Sequence, residues 1–135
     1  MDEPHWLSRT IVDSIHFEQL QEHGGALGMR DENTLESAIA RPRNKRSYDR
    51  DSDPASLAAA YGFGLATAHG HTDGNKRVAF LAMYVFLGLN GWELEASEVE
   101  VVAVMRAVAS GGLGEEELAA WVRDHLVSCG SNARA

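Results

Sequence analysis

The stretch from Val78 to Leu89 (VAFLAMYVFLGL) limits the possible folds more than any other feature of the chain. Read as a helix, it carries Val78, Leu81, Ala82, Val85, Phe86 and Leu89 on one face, and Phe80, Met83, Tyr84 and Leu87 make the other faces apolar as well. A helix that is hydrophobic all round has no side to give to water, so it is expected at the centre of a bundle. Asn90-Gly91 supplies its stop. No two neighbouring runs show strict period-two alternation, which leaves room for one small hairpin at most. The expected architecture is all-α, a compact six-helix bundle with a central buried helix.

The other helices are marked by their ends. Ser8 caps a helix expected over residues 9–23, in which Ile11, Val12, Ile15 and Leu20 recur at helical spacing before Gly24-Gly25. Residues 26–33 read as a loop. Asn33 with Glu36 has the spacing of an N-cap pair for a short helix to about Arg41, closed by Pro42. Residues 41–53 hold Arg41, Arg43, Lys45, Arg46 and Arg50 among Asn, Ser and Asp. That composition predicts a mobile basic loop, either a solvated connector or a flap for an acidic or phosphorylated partner. Asp53-Pro54 opens the next helix, to about Ala68. Ser97-Glu98-Val99-Glu100 has capping-box spacing for a helix to about Ala109, and Glu115 to about Val127 forms the last, with a frayed tail from Ser128.

At 135 residues and 44% hydrophobic content the chain fits a single domain spanning 1–135, its core at about 11–126. The net charge of -8 argues against a nucleic-acid binder, because phosphate backbones are gripped through clustered Lys and Arg. Cys129 is the lone cysteine, so no intrachain disulfide and no cysteine-based metal cluster can form. The opening MDEPHWLSRT lacks the basic start and apolar core of a signal peptide, and no uncharged apolar run reaches the ~18 residues of a membrane span. A soluble, cytoplasmic protein without a membrane partner is expected.

Polar and titratable groups concentrate in His69-Gly70-His71-Thr72-Asp73-Gly74-Asn75-Lys76-Arg77, just before the most apolar helix. The first amides of a helix lack intrahelical partners and the dipole there favours negative charge. Gly74, Asn75 and Lys76 can therefore offer backbone N–H groups to a phosphate, with Gly74 allowing close approach. Lys76 and Arg77 add fixed positive charge, and Arg can clamp phosphate oxygens in a bidentate way. His69 has the right chemistry for a general base, Asp73 for a Mg²⁺ ligand, and the Asn75 amide for orienting a phosphate oxygen. Phosphoryl-type transfer needs little more than this, since it rests on positioning and charge stabilisation.

At these residues the chain resembles the Fic/Doc family, and within it the Doc (death-on-curing) toxin branch. That branch carries His-x-Phe-x-Asp-Gly/Ala-Asn-Lys-Arg, and His69, Asp73, Gly74, Asn75, Lys76 and Arg77 fall on it in register. Ile15-His16, Gly24-Gly25, Gly28-Met29-Arg30-Asp31, Leu35-Glu36-Ser37-Ala38, Arg41-Pro42, Phe86-Leu87 and Asn90-Gly91 look like further landmarks. The resemblance implies a helical toxin of a toxin-antitoxin pair that uses ATP and Mg²⁺ to modify a Ser or Thr hydroxyl on a translation elongation factor. It implies His69 as base, Asp73 as metal ligand, and Asn75, Lys76 and Arg77 as phosphate holders. Lys76, where the nucleotidyl-transferring branch has Gly, implies kinase-like transfer of the γ-phosphate. The resemblance also implies an antitoxin whose disordered C-terminal segment folds into a groove of the toxin.

One departure stands out. His71 replaces the Phe that anchors the loop in the family, and we expect its ring to pack inward with one nitrogen hydrogen-bonded. Three other readings of the same residues stay open at this point. His69-x-His71-x-Asp73 also begins a metallo-hydrolase ligand set, a member impaired at His71 would keep only the fold and the partner groove, and nucleotidyl transfer uses the same chemistry. His16 reads as structural, and Trp6, Trp92 and Trp121 read as packing residues, since no basic stripe accompanies them.

Overall fold

A computed structural model describes residues 3–23, 32–67 and 75–129, with the side chains of Leu20, His23 and Asn75 outside that description. Among the described residues there are six helices and one pair of short strands. The helices are α1 (Arg9–His23), α2 (Glu32–Tyr48), α3 (Pro54–Thr67), α4 (Asn75–Leu89), α5 (Glu98–Ser110) and α6 (Glu115–Asp124); the strands are β1 (Trp92–Leu94) and β2 (Leu126–Ser128). The fold is the expected all-α bundle.

Local signals set several boundaries. Ile11 N–H donates to Ser8 Oγ at 3.2 Å, so Ser8 caps α1. Asp53 Oδ1 accepts from Ser56 N–H at 2.9 Å, and Pro54 occupies the first turn of α3, where its missing N–H costs nothing. Ser97 and Glu100 form a reciprocal capping box on α5, which ends at Gly111 in the left-handed region, φ +90°.

The enclosed centre is α3, which corrects the expectation that α4 would hold that place. Ten residues of α3, from Ala55 to Ala66, are buried, and the helix packs against α2, α4, α5 and α6. On α4 the pairs Val78/Ala79, Ala82/Met83 and Phe86/Leu87 are buried, whereas Tyr84 and Leu89 are exposed. Side-chain size explains the difference. Ala58, Ala59, Ala60, Gly62 and Gly64 let neighbouring helices close on α3 from every side, while the bulkier α4 keeps one face outward.

Two further expectations change. Asn33 lies inside α2, not at its cap, and α2 runs on through Pro42 to Tyr48, so residues 41–48 are helix and the basic loop shrinks to 49–53. An interior proline removes one hydrogen bond and costs ~3 kcal/mol in an isolated helix. Here the Pro42 ring is fully buried, and the flanking turns are fastened to α6 by Arg41 with Glu115 (2.8 Å from Nε) and by Lys45 with Glu115 and Glu116 (3.3 and 3.4 Å). Residues 41–48 being helix, with Arg41 and Lys45 held by α6, leaves the flap reading without most of its loop. Finally, α6 stops at Asp124, and residues 126–128 pair antiparallel with β1 in the register Trp92↔Ser128, Glu93↔Val127, Leu94↔Leu126. Ser128 is therefore ordered in a strand and does not begin a tail, and the two strands are distant in sequence, unlike a hairpin.

The amino-terminal segment is fastened over α3 and α4. Leu7 is buried and its N–H donates to the Tyr61 hydroxyl at 2.9 Å. Trp6 stacks on Phe86 with centroids 6.0 Å apart, and Asn90 exchanges hydrogen bonds with the backbone of His5. Trp6, Trp92 and Trp121 all pack against the core, and His16 is buried on α1, as expected.

Candidate phosphate-binding site

The position of the motif follows from how α3 meets α4. The Tyr61 ring lies 5.2 Å from that of Phe86, and a Cβ on Gly62 would strike Met83. Rising numbers on one helix thus meet falling numbers on the other, and the two run antiparallel. Thr67, the last residue of α3, and Asn75, the first of α4, therefore sit at one end of the bundle, and residues 68–74 join them.

Of the expected site residues, His69, Asp73 and Gly74 lie outside the described residues, as do His71 and the side chain of Asn75. The backbone of Asn75 opens α4, in line with its expected place at a helix onset, and Lys76 and Arg77 follow on the first turn with exposed side chains.

α1 and α3, like α4, have no acidic residue in the first turn, but α4 alone sets two cations side by side there. The first turns of α5 and α6 carry Glu98 and Glu100, and Glu115, Glu116 and Glu117, which complement the positive end of a helix. On α4 the first turn has no acidic residue and two cations. Cations at a helix start oppose the dipole by ~0.3–1 kcal/mol each. Several other cations are committed to carboxylates: Arg9 to Asp13, Glu32 and Glu36, Arg123 to Asp53, and Arg41 and Lys45 to α6. Neither Lys76 nor Arg77 joins an ion pair among the described residues. Two cations without an ion pair among the described residues, at the start of a helix whose dipole is positive there, would be favoured by a bound anion that removes the repulsion.

One feature of this end escaped sequence reasoning. Arg41 places its guanidinium 5.2 Å from the centroid of Phe63 while it bonds Glu115, so α2, α3 and α6 are joined one turn before α3 ends. Arg41 stands out in the sequence as part of the Arg41-Pro42 landmark, but nothing local shows its partner, because the carboxylate is 74 positions away. A polar cavity of about 470 Å³ beside it is lined by Ser37, Arg41, Asn44, Lys45, Tyr48, Glu115 and Glu116. Its opposite charges already satisfy one another. Among the described residues no three His, Cys, Asp or Glu side chains gather to hold a metal ion, and no helix is long and apolar enough to cross a membrane.

The sequence profile of the Fic/DOC family matches residues 6–87. Over 75 residues the chain is 43% identical to Toxin Doc of Mycolicibacterium smegmatis (strain ATCC 700084 / mc(2)155), an alignment that covers 54% of this chain and 57% of that protein. The chain thus spans a little over half the length of the curated relative it matches.

Proposed function

The chain belongs to the Fic/Doc family, and from that premise we propose that it is the toxin of a toxin-antitoxin pair, an enzyme that moves the γ-phosphate of ATP to a Ser or Thr hydroxyl of a protein target. The observation that carries the reading is the first turn of α4, where Lys76 and Arg77 stand exposed, with no carboxylate partner among the described residues, at the onset of a helix. A triphosphate supplies the negative charge that this turn lacks. The similarity to a protein named Toxin Doc supports the toxin assignment.

In this reading His69 takes the proton of the target hydroxyl and the freed oxygen attacks the γ-phosphorus. The bond from that phosphorus to the β,γ-bridging oxygen breaks, and ADP leaves. Asn75, Lys76, Arg77 and the backbone at Gly74 hold phosphate oxygens. Asp73 would hold Mg²⁺, and a single carboxylate suits an ion whose remaining positions go to water and nucleotide phosphates. The metal, when bound, neutralises charge on the phosphates. Lys76 adds a cation where the nucleotidyl-transferring branch has Gly, which favours γ-transfer. The target proposed is a translation elongation factor in the cytoplasm, with translation inhibited as the result. The partner is an antitoxin whose disordered C-terminal segment folds onto the toxin.

The test is incubation of the purified chain and Mg²⁺ with cell extract and ATP labelled at the α or the γ position. Label on one protein band from the γ position alone, lost in His69→Ala, is expected. Label from the α position would replace phosphoryl by nucleotidyl transfer, and no label from either would point to a member impaired by His71.

A further inference from the structure

The fifth helix presents an apolar face that the fold leaves uncovered. α5 buries Met105 and Val108 against the bundle, while Val99 is 79% and Val102 45% exposed, with Ala103, Arg106 and Ala109 exposed beside them. Steps of three and four residues place these side chains on one stripe. Charge is distributed along it in a definite order. Glu98 stands in the first turn and Arg106 two turns later, both exposed, and neither joins an ion pair among the described residues.

We propose that this stripe is a self-association surface, on which α5 of a second copy of the chain lies antiparallel, with Val99, Val102 and Ala103 at the centre and each Arg106 against Glu98 of the other copy. A two-fold axis between Val102 and Ala103 sets position 106 of one helix level with position 99 of the other, within ~1.5 Å of position 98 along the axis. A single symmetric contact therefore satisfies four unpaired charges and closes as a dimer. Parallel pairing would set Arg106 on Arg106 and Glu98 on Glu98, so the charge order selects the antiparallel arrangement. One face of a 13-residue helix is smaller than the ~1,200 Å² that standard stable interfaces bury in total. Association is therefore weak, becoming evident at chain concentrations on the order of 0.1–1 mM. The net charge of -8 on each copy opposes it at long range, and ~0.15 M salt, with a Debye length of ~8 Å, screens most of that repulsion.

Sedimentation equilibrium from about 0.02 to 1 mM in ~0.15 M salt tests the proposal. The wild-type chain is expected to rise toward the dimer mass. Arg106→Glu and Glu98→Lys each put like charges at both ends of the contact and should weaken association at least ~10-fold. An equimolar mixture of these two variants restores opposite charges at both ends and should associate again. Both substitutions are on an exposed helix surface, so circular dichroism should be unchanged. A wild-type chain that stays monomeric throughout overturns the proposal. So do single variants that associate as the wild type does, or a mixture that fails to associate.

Discussion

Two glycines on adjacent helices give a controlled measure of how tightly α3 is enclosed. Gly88 is exposed near the end of α4, and a Cβ built there meets nothing within 4 Å. Gly88→Ala should therefore stabilise the protein by ~0.5–1 kcal/mol, because alanine loses less backbone freedom on folding. Gly62 gains the same propensity, but its Cβ would overlap Met83 Sδ and lie 2.9 Å from Met83 Cγ and 3.3 Å from Leu118 Cδ2. Met83 and Leu118 are both 0% exposed, so relief requires Met83 to leave its rotamer inside a packed core or α3 to move away from α4. Overpacking of this kind costs ~1–3 kcal/mol. That cost is the expected separation between the two variants. For a chain of this length ~1 kcal/mol moves Tm by roughly 3–5 °C, so Gly88→Ala should melt above the wild type, and Gly62→Ala should fall below Gly88→Ala by roughly 3–15 °C. Calorimetry on the three proteins at one pH decides it. Two variants with the same Tm would refute the claim that α3 has no spare volume at its contact with α4.

Other outcomes follow from particular contacts. Replacing Lys76 and Arg77 together by Ala removes two cations from a helix start, so thermal stability should rise by ~0.3–1 kcal/mol per cation while affinity for ATP in a calorimetric titration falls; an unchanged affinity would remove the phosphate site. Asp53 is held well below the usual carboxylate range, first by its hydrogen bonds from Arg123 and next by those of Ser56. Its contribution is present above its unfolded pKa of ~3.9 and disappears as pH falls toward the lower folded value. In Asp53→Asn the part of the stability loss between about pH 4 and pH 2 that Asp53 supplies should vanish, as read from urea midpoints at several pH values. Solvent reaches this pair, so the difference will be smaller than the shift alone suggests. Ser97→Ala removes one half of the α5 capping box and should cost ~0.5–2 kcal/mol in urea unfolding, whereas the same change at exposed Ser110 should cost far less.

What could be read from the sequence was what neighbours in sequence decide. The starts of α1, α3 and α5 are fixed by Ser8, Asp53 and the Ser97–Glu100 pair, each acting within four residues. The helical state of residues 42–48 was not legible, since Pro42 and the basic residues Arg43, Lys45 and Arg46 describe a loop until Glu115 and Glu116 are brought against Arg41 and Lys45. The place of α3 was hidden for a different reason. Periodicity methods weigh hydrophobicity, and a helix of Ala and Gly is buried because it is thin. The strand at 126–128 has no signal of its own, because its partner precedes it by a full helical pair. At the site the helix onset at Asn75 is the one expected feature the described residues contain, and the sequence alone speaks for the roles of His69, Asp73, Lys76 and Arg77.

The pairing of β1 with β2 has a consequence for chain connectivity. Cys129 N–H donates to Gly91 O at 3.1 Å and Glu95 N–H to His125 O at 2.9 Å, so residues 91–95 and 125–129 are stapled on both sides of the strand pair. Everything between, α5 and α6 included, is a closed circuit whose farthest point is the Gly111–Gly114 turn. A break in the backbone at that turn would leave each half still attached, one through α5 on α3 and α4, the other through α6 on α3 and the staple. The chain should therefore tolerate being made as two pieces cut at Gly112 and reassembling on mixing, even though Glu115, at the start of α6, bonds Arg41, which lies over Phe63 near the end of α3 that leads to Lys76 and Arg77.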